Sequence, residues 1–189
     1  MKKIMLFIVL AALCPFSGAR AQDNSQHLPV NVGGRMPDVR ITHIINARYR
    51  SAKLSDYRGK LVILDFWSSW CSSCIAGFPE LNALQKRFAG RIQVFLVNPA
   101  RENDAEKSVR IVIDRVNAWS DQRLALPVVL QDTAITRCFR FRSVPHCVWI
   151  GPGGVVAAIT GKDAVSAENV TKILNGEDPN LPLKDDYAH

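Results

Sequence analysis

Leu61-Val62-Ile63-Leu64-Asp65-Phe66-Trp67-Ser68-Ser69-Trp70-Cys71-Ser72-Ser73-Cys74-Ile75-Ala76-Gly77-Phe78-Pro79 carries the chain from an apolar run through a pair of cysteines to a proline. Its first part is apolar and β-rich, and short enough for a buried strand. Ser68 and Ser69 make a small polar turn, two cysteines follow with two residues between them, and the rest has helical spacing. Strand, turn, Cys-x-x-Cys and helix is the setting in which paired cysteines do redox chemistry rather than packing. A cysteine at the first turn of a helix faces unpaired backbone N–H groups and the positive end of the helix dipole. The thiolate of Cys71 is thereby favoured, and its pKa falls below the free value of about 8.5. Cys74 lies one turn on, on the same face, close enough to close a small disulfide ring. The spacing predicts an exposed Cys71 that attacks a partner's disulfide and a shielded Cys74 that resolves the product.

Asp65 is the polar residue inside this apolar strand. Leu64 and Phe66 flank it, as in a strand covered on both faces. Burying a carboxylate there is costly unless something compensates. Burial also raises its pKa, which makes it a proton donor or acceptor near neutral pH.

The run Asp-Phe-Trp-Ser-Ser-Trp-Cys-Ser-Ser-Cys, 65–74, resembles the active-site signature of the thioredoxin superfamily. Arg35-Met36-Pro37-Asp38 and the later Leu-Ser-Asp-Tyr-Arg-Gly-Lys run, 54–60, resemble the lead-in of its TlpA/ResA-like branch. Val144-Pro145, about seventy residues past the cysteines, matches the family's cis-proline. The resemblance spans 32–174. It implies an α/β, thioredoxin-like fold, with a central mixed β-sheet flanked by helices and an N-terminal β-hairpin extension.

The same resemblance implies thiol–disulfide exchange with protein thiols and disulfides, in the reducing direction, with reducing equivalents from a membrane electron donor. No cofactor is expected beyond the redox-active Cys71–Cys74 disulfide, and no metal. Cys71 is then the nucleophile and Cys74 the resolving thiol. Asp65, beneath Cys74, takes that thiol's proton. Pro145 turns the backbone of Val144 toward an extended substrate for β-like pairing. Trp70, Ser72 and Ser73 complete the substrate-contacting surface.

Three residues depart from the pattern. Gly77 stands where the branch commonly has a glutamate, and Glu80, past Pro79, reads as a solvated helix residue. The acid–base burden then falls on Asp65. His146 is a candidate modulator, whose cationic form beside Cys71 would favour the thiolate. Cys147 reads as a small buried hydrophobe, with a Cys138–Cys147 disulfide left open as the alternative.

Residues 1–21 have a basic start (Lys2, Lys3), an apolar stretch over 4–13 and a small-residue exit at Ala19-Arg20-Ala21. That is the layout of a cleaved secretory signal peptide, and it predicts a periplasmic or otherwise extracytoplasmic protein. The apolar stretch is too short to span a bilayer. A lipid anchor at Cys14 is disfavoured by the bulk of Leu13. The 189-residue chain carries 24 basic and 17 acidic residues, for a formal charge of +7, which falls to about +4 once the signal peptide is removed. The arginines are scattered among apolar and turn residues, which argues against a nucleic-acid partner. Of five cysteines, four remain after cleavage. A zinc site would call for two close-spaced pairs, whereas Cys138 and Cys147 lie far apart and straddle a proline.

A flexible leader is expected over 22–34, one thioredoxin-like domain over 35–175, and a polar C-terminal tail over 176–189. Within the domain the pattern predicts a hairpin over 39–45 and 52–54, and strands over 60–67, 92–97, 127–130, 147–150 and 155–159. Helices are expected over 74–88, bent at Pro79, over 102–119 with an apolar face from Val109 to Trp119, and over 132–139 and 166–174. Two other chemistries compete. Soft-metal delivery could use Cys71, Cys74 and His146 to hold Cu(I). Peroxide reduction lacks the expected Thr and Pro ahead of the cysteine, Ser68 and Trp70 standing in their place.

Overall fold

The structure is a computed structural model that describes residues 29–184. The expected signal peptide, most of the expected leader and the last residues of the polar tail lie outside the described residues.

Strand β1 (Arg40–Ile41), β2 (Ile44–Ile45) and β3 (Ala52–Lys53) come first. The expected hairpin is present as β1 against β3. Its inner part, β2, leaves it to join the main sheet. His43 takes a positive φ at the corner, and Ile44 and Ile45 are buried against Val129 and Val128. β4 (Leu61–Phe66) follows, then helices α1 (Ser72–Ala76) and α2 (Phe78–Arg87), β5 (Ile92–Pro99) and α3 (Glu106–Trp119). β6 (Val128–Asp132), the hairpin β7 (His146–Ile150) and β8 (Val156–Thr160), and α4 (Ala167–Leu174) complete the chain. The six-stranded sheet runs β2-β6-β5-β4-β7-β8, with the β4–β5 and β5–β6 pairs parallel and the rest antiparallel.

All six residues of β4 are buried, because packed side chains cover the sheet on both faces. The pleat sorts them. Leu61, Ile63 and Trp67 pack with Phe78, Leu81, Val94 and Trp149 on one face, and Val62, Leu64 and Phe66 pack with Phe95, Phe139 and Phe141 on the other. Each fully buried Leu or Ile contributes about 1.5–3 kcal/mol. Trp67 is core, its ring edge-on to Phe78 at 5.0 Å between centroids.

The bend expected at Pro79 is instead a break. α1 ends at Gly77, and Pro79 sits in the first turn of α2, where a missing N–H removes no helical bond. α3 starts later than expected, after a 3₁₀ turn at Ala100–Glu102, and buries Val109, Val112, Ile113 and Val116 while Trp119 stands exposed at its end. The helix expected over 132–139 shrinks to a 3₁₀ turn, Thr136–Cys138. Asp132 remains in β6 and its carboxylate accepts from the backbone N–H groups of Ile135 and Thr136. Gly154, with φ of 79°, makes the β7–β8 turn, and Arg35 donates to the Gly153 carbonyl at 2.9 Å. On the N-terminal side Val30 donates to the Cys138 carbonyl, and on the C-terminal side Lys184 donates to the Ile159 and Ser143 carbonyls. Among the described residues no helix is long and apolar enough to cross a membrane.

Candidate active site

β4 delivers the chain to the site, and the turn after it is held by a buried polar clamp. Asp104 accepts from the backbone N–H of Ser69 at 2.7 Å, from the Ser69 hydroxyl, and from Asn98 Nδ2 at 2.6 Å. Asn98 reaches across to the Trp67 carbonyl at 3.3 Å. Asn98 and Asp104 are both buried, at the end of β5 and in the loop before α3. The clamp thus ties the residues just ahead of Cys71 to the neighbouring strand.

Cys71 is the N-cap of α1, and its Sγ accepts from the backbone N–H of Cys74 at 3.3 Å. Cys71 and Cys74 are joined in a disulfide, their Cα atoms 5.4 Å apart. The Cys71 sulfur therefore sits where helix N–H groups would meet a thiolate, as the spacing predicts. The expected exposure of Cys71 is corrected: in this oxidised state it is 5% exposed and Cys74 2%. The surface positions go to its neighbours. Trp70 is 67% exposed, and Ser72 and Ser73 are exposed as well, with the Ser73 hydroxyl 3.6 Å from Cys71 Sγ.

Asp65 is 2% exposed and stands opposite Cys147 of β7. The Cys147 thiol donates to Asp65 Oδ1 at 3.1 Å. Burial pushes the Asp65 carboxyl up to about 7, and the bond from Cys147 works against that rise. Burial and the neighbouring Asp65 charge hold the Cys147 thiol well above its ordinary value. Asp65, Cys74, Gly77 and Cys147 line one cavity of about 240 Å³, together with the exposed Glu80 and Asp163. A Cβ at Gly77 would come within 3.3 Å of the Cys74 carbonyl oxygen.

Val144-Pro145 is cis, as expected. The pairing of Phe66 with His146 sets Pro145 beside the end of β4 that runs into the Cys71 turn. Val144 is half-buried.

His146 is not brought to this group. It is fully buried on the other face of the sheet, its ring stacked on Phe141 at 4.3 Å and against Phe66 at 5.6 Å. Strand alternation sends it away from the disulfide, so the expectation that it sits beside Cys71 is not met, and Cys71, Cys74 and His146 do not converge on one point. The open Cys138–Cys147 alternative is also set aside: both are free thiols, packed into the two opposite cores. Among the described residues no group of three or more His, Cys, Asp or Glu could hold a metal ion. Sequence reasoning missed the Asn98–Asp104 clamp, whose partners lie far away along the chain, and the thiol donor at Cys147.

The family model for the AhpC/TSA family matches residues 32–159. The chain is 26% identical over 161 residues to the thioredoxin-like protein YneN of Bacillus subtilis, covering 84% of this chain and 89% of that one. It is 32% identical over 126 residues to the thiol-disulfide oxidoreductase ResA of Geobacillus kaustophilus, covering 61% and 68% respectively. Among solved structures, it is similar to a candidate thiol:disulfide interchange protein DsbE from Chlorobium tepidum, with a TM-score of 0.54 and 26% identity, over 70% of this chain and 86% of that one.

Proposed function

We infer the division of labour below from a plain premise: this chain belongs to the AhpC/TSA family, and it is a thiol-disulfide oxidoreductase of the TlpA/ResA-like branch of the thioredoxin superfamily. Its substrates are protein thiols and disulfides, and it works in the reducing direction. In the reduced protein the Cys71 thiolate, steadied by the N–H groups of α1, attacks a substrate disulfide. A Cys71–substrate S–S bond forms, and the displaced substrate sulfur leaves as a thiolate and takes up a proton.

The Asp65 carboxylate then accepts the proton of Cys74, and the Cys74 sulfur attacks Cys71 Sγ. The Cys71–Cys74 bond forms, the Cys71–substrate bond breaks, and the second substrate sulfur leaves. Two electrons have passed from the protein dithiol to the substrate disulfide. An acid poised near pH 7 suits a group that must hold and release a proton at neutral pH.

Trp70, Ser72 and Ser73 offer the contact surface beside Cys71, and the Val144 backbone, ahead of Pro145, pairs with the extended substrate. The protein acts outside the cytoplasm, exported by the signal peptide read over 1–21. A membrane electron donor returns the disulfide to the dithiol, and 35–175 is the catalytic domain.

One observation carries this reading: the Cys71 sulfur caps α1, while Cys74 and Asp65 share a cavity behind it. The test is reduction of insulin disulfides by the dithiol protein. Cys71→Ser is expected to lower turnover by roughly 10³-fold or more, and Cys74→Ala to accumulate a mixed disulfide on Cys71. Retained turnover in Cys71→Ser would overturn the assignment.

A further inference from the structure

The polar contact inside the cavity behind the disulfide belongs to a residue that the exchange reaction does not use. Cys147 is fully buried, one rung from the end of β7, and its Cα is paired with that of Asp65 across the sheet. Antiparallel pairing puts their side chains on the same face, and the thiol closes on Oδ1 at 3.1 Å. Of the side-chain hydrogen bonds among the described residues, this is the one that reaches Asp65. Both residues line the cavity that also holds Cys74.

We propose that Cys147 is a positioning residue for thiol–disulfide exchange: its S–H donates to Asp65 and holds that carboxylate, ionised and oriented, toward Cys74. The inference rests on the reading of Asp65 as the acceptor of the Cys74 proton.

Three features support it. A carboxylate accepts from a thiol, and a carboxylic acid needs that contact less, so the bond favours the form of Asp65 that can take a proton. The thiol itself stays protonated through the neutral range, because burial and the Asp65 charge both oppose its ionisation. It therefore remains a donor at every pH where Cys74 resolves a mixed disulfide. Finally, one cavity brings Asp65, Cys74 and Cys147 together and is lined as well by Gly77 and the exposed Glu80 and Asp163.

The groups that face the pair come from several elements. Cys74 faces it from α1, Glu80 from α2, and Lys162 and Asp163 from the turn after β8, where the two are themselves paired at 3.0 Å. Lys184, from the C-terminal segment, acts on Cys147 by charge.

The experiment follows Asp65 directly, in the oxidised protein, by carbon-13 NMR of its carboxyl between pH 4 and 9. Cys147→Ala removes the donor, and the Asp65 midpoint is expected to rise by about 0.5–1 pH unit. Cys147→Ser restores a donor and is expected to return most of that shift. The pH profile of insulin reduction should move with the midpoint in each variant. An unchanged midpoint in Cys147→Ala would overturn the inference, and so would an equal rise in both variants, which would trace the effect to packing.

The unaltered protein supplies a second readout that needs no substitution. The infrared S–H stretch of Cys147, assigned by its loss in Cys147→Ala or by selective isotope labelling, should move as Asp65 titrates, and a band that stays fixed would contradict the hydrogen bond. A failure of the Asp65 reading itself looks different: Asp65→Asn would then leave the pH profile of turnover unchanged while the Cys147 effect on the Asp65 midpoint persisted.

Discussion

Two adjacent rungs of the β4–β7 ladder hold the protein's most telling buried polar groups, and they face opposite ways. In one, Asp65 lies opposite Cys147, with a hydrogen bond between them and the disulfide in the same layer. In the next, Phe66 lies opposite His146, whose ring is stacked on Phe141 in the other layer. The two rungs are one residue apart in sequence and separated by the thickness of the sheet. Nearness to the proline along the chain does not decide which residue lies beside the disulfide. The pleat does, because a step of one residue along a strand carries a side chain to the opposite face.

The largest effect is expected when the acid on the first rung is neutralised. Asp65 is raised from its ordinary 3.8 to about 7, chiefly by burial. Between those values the folded chain keeps a proton that the unfolded chain has released, so this group makes stability fall as pH climbs from about 4 to about 7 and level off above. Asp65→Asn removes that loss. At pH 8 the variant is expected to be more stable than the unaltered protein by on the order of a few kcal/mol, about 5–10 °C in melting temperature, with the two curves converging near pH 4. Calorimetry at both pH values checks it, and equal melting temperatures at pH 8 would mean the carboxylate is compensated in a way the geometry lacks.

A smaller effect is expected where β4 runs out. Asp104→Ala removes the acceptor of the Ser69 N–H and the Ser69 hydroxyl and one of the two acceptors of Asn98 Nδ2, which keeps the Trp67 carbonyl. Buried donors left alone cost about 1–3 kcal/mol, and chemical denaturation should register a loss of that size. Because the same clamp fixes the turn before Cys71, insulin reduction should slow as well. A stability loss with undiminished turnover would show that the turn keeps its shape without the clamp.

The least change belongs to the second rung. His146→Phe keeps an aromatic ring among Phe66 and Phe141, so the stability change should stay within about 1.5 kcal/mol. The pH profile of turnover should be unmoved. A displaced profile would return His146 to the reacting group and undo the contrast between the rungs.

Much of this was legible in the chain itself. The apolar run before a polar turn and a Cys-x-x-Cys gives a buried strand feeding a helix N-terminus, because burial and capping are local properties of those residues. Asp65 could be singled out for the same reason, as a charge amid β4's apolar neighbours. What escaped depends on register. That Cys147 meets Asp65, while His146 faces away, follows from which residue of β7 pairs with which of β4, and no local pattern states that pairing. Asp104 is likewise an ordinary loop acid until the fold brings Ser69 to it from a distant strand end. The break between α1 and α2 lay nearer to hand, since Gly77 and Pro79 together favour a stop and a fresh start over a bend.

The second half of the exchange is open to direct measurement. The rate at which Cys74 displaces a substrate from Cys71 can be read by rapid mixing, in single turnover, across pH 5 to 9. With Asp65 in place that rate should rise through an inflection near pH 7, and in Asp65→Asn it should fall by roughly 10²-fold or more at pH 7 and lose the inflection. Equal rates and the same pH dependence in both proteins would contradict the claim that Asp65 takes the proton of Cys74.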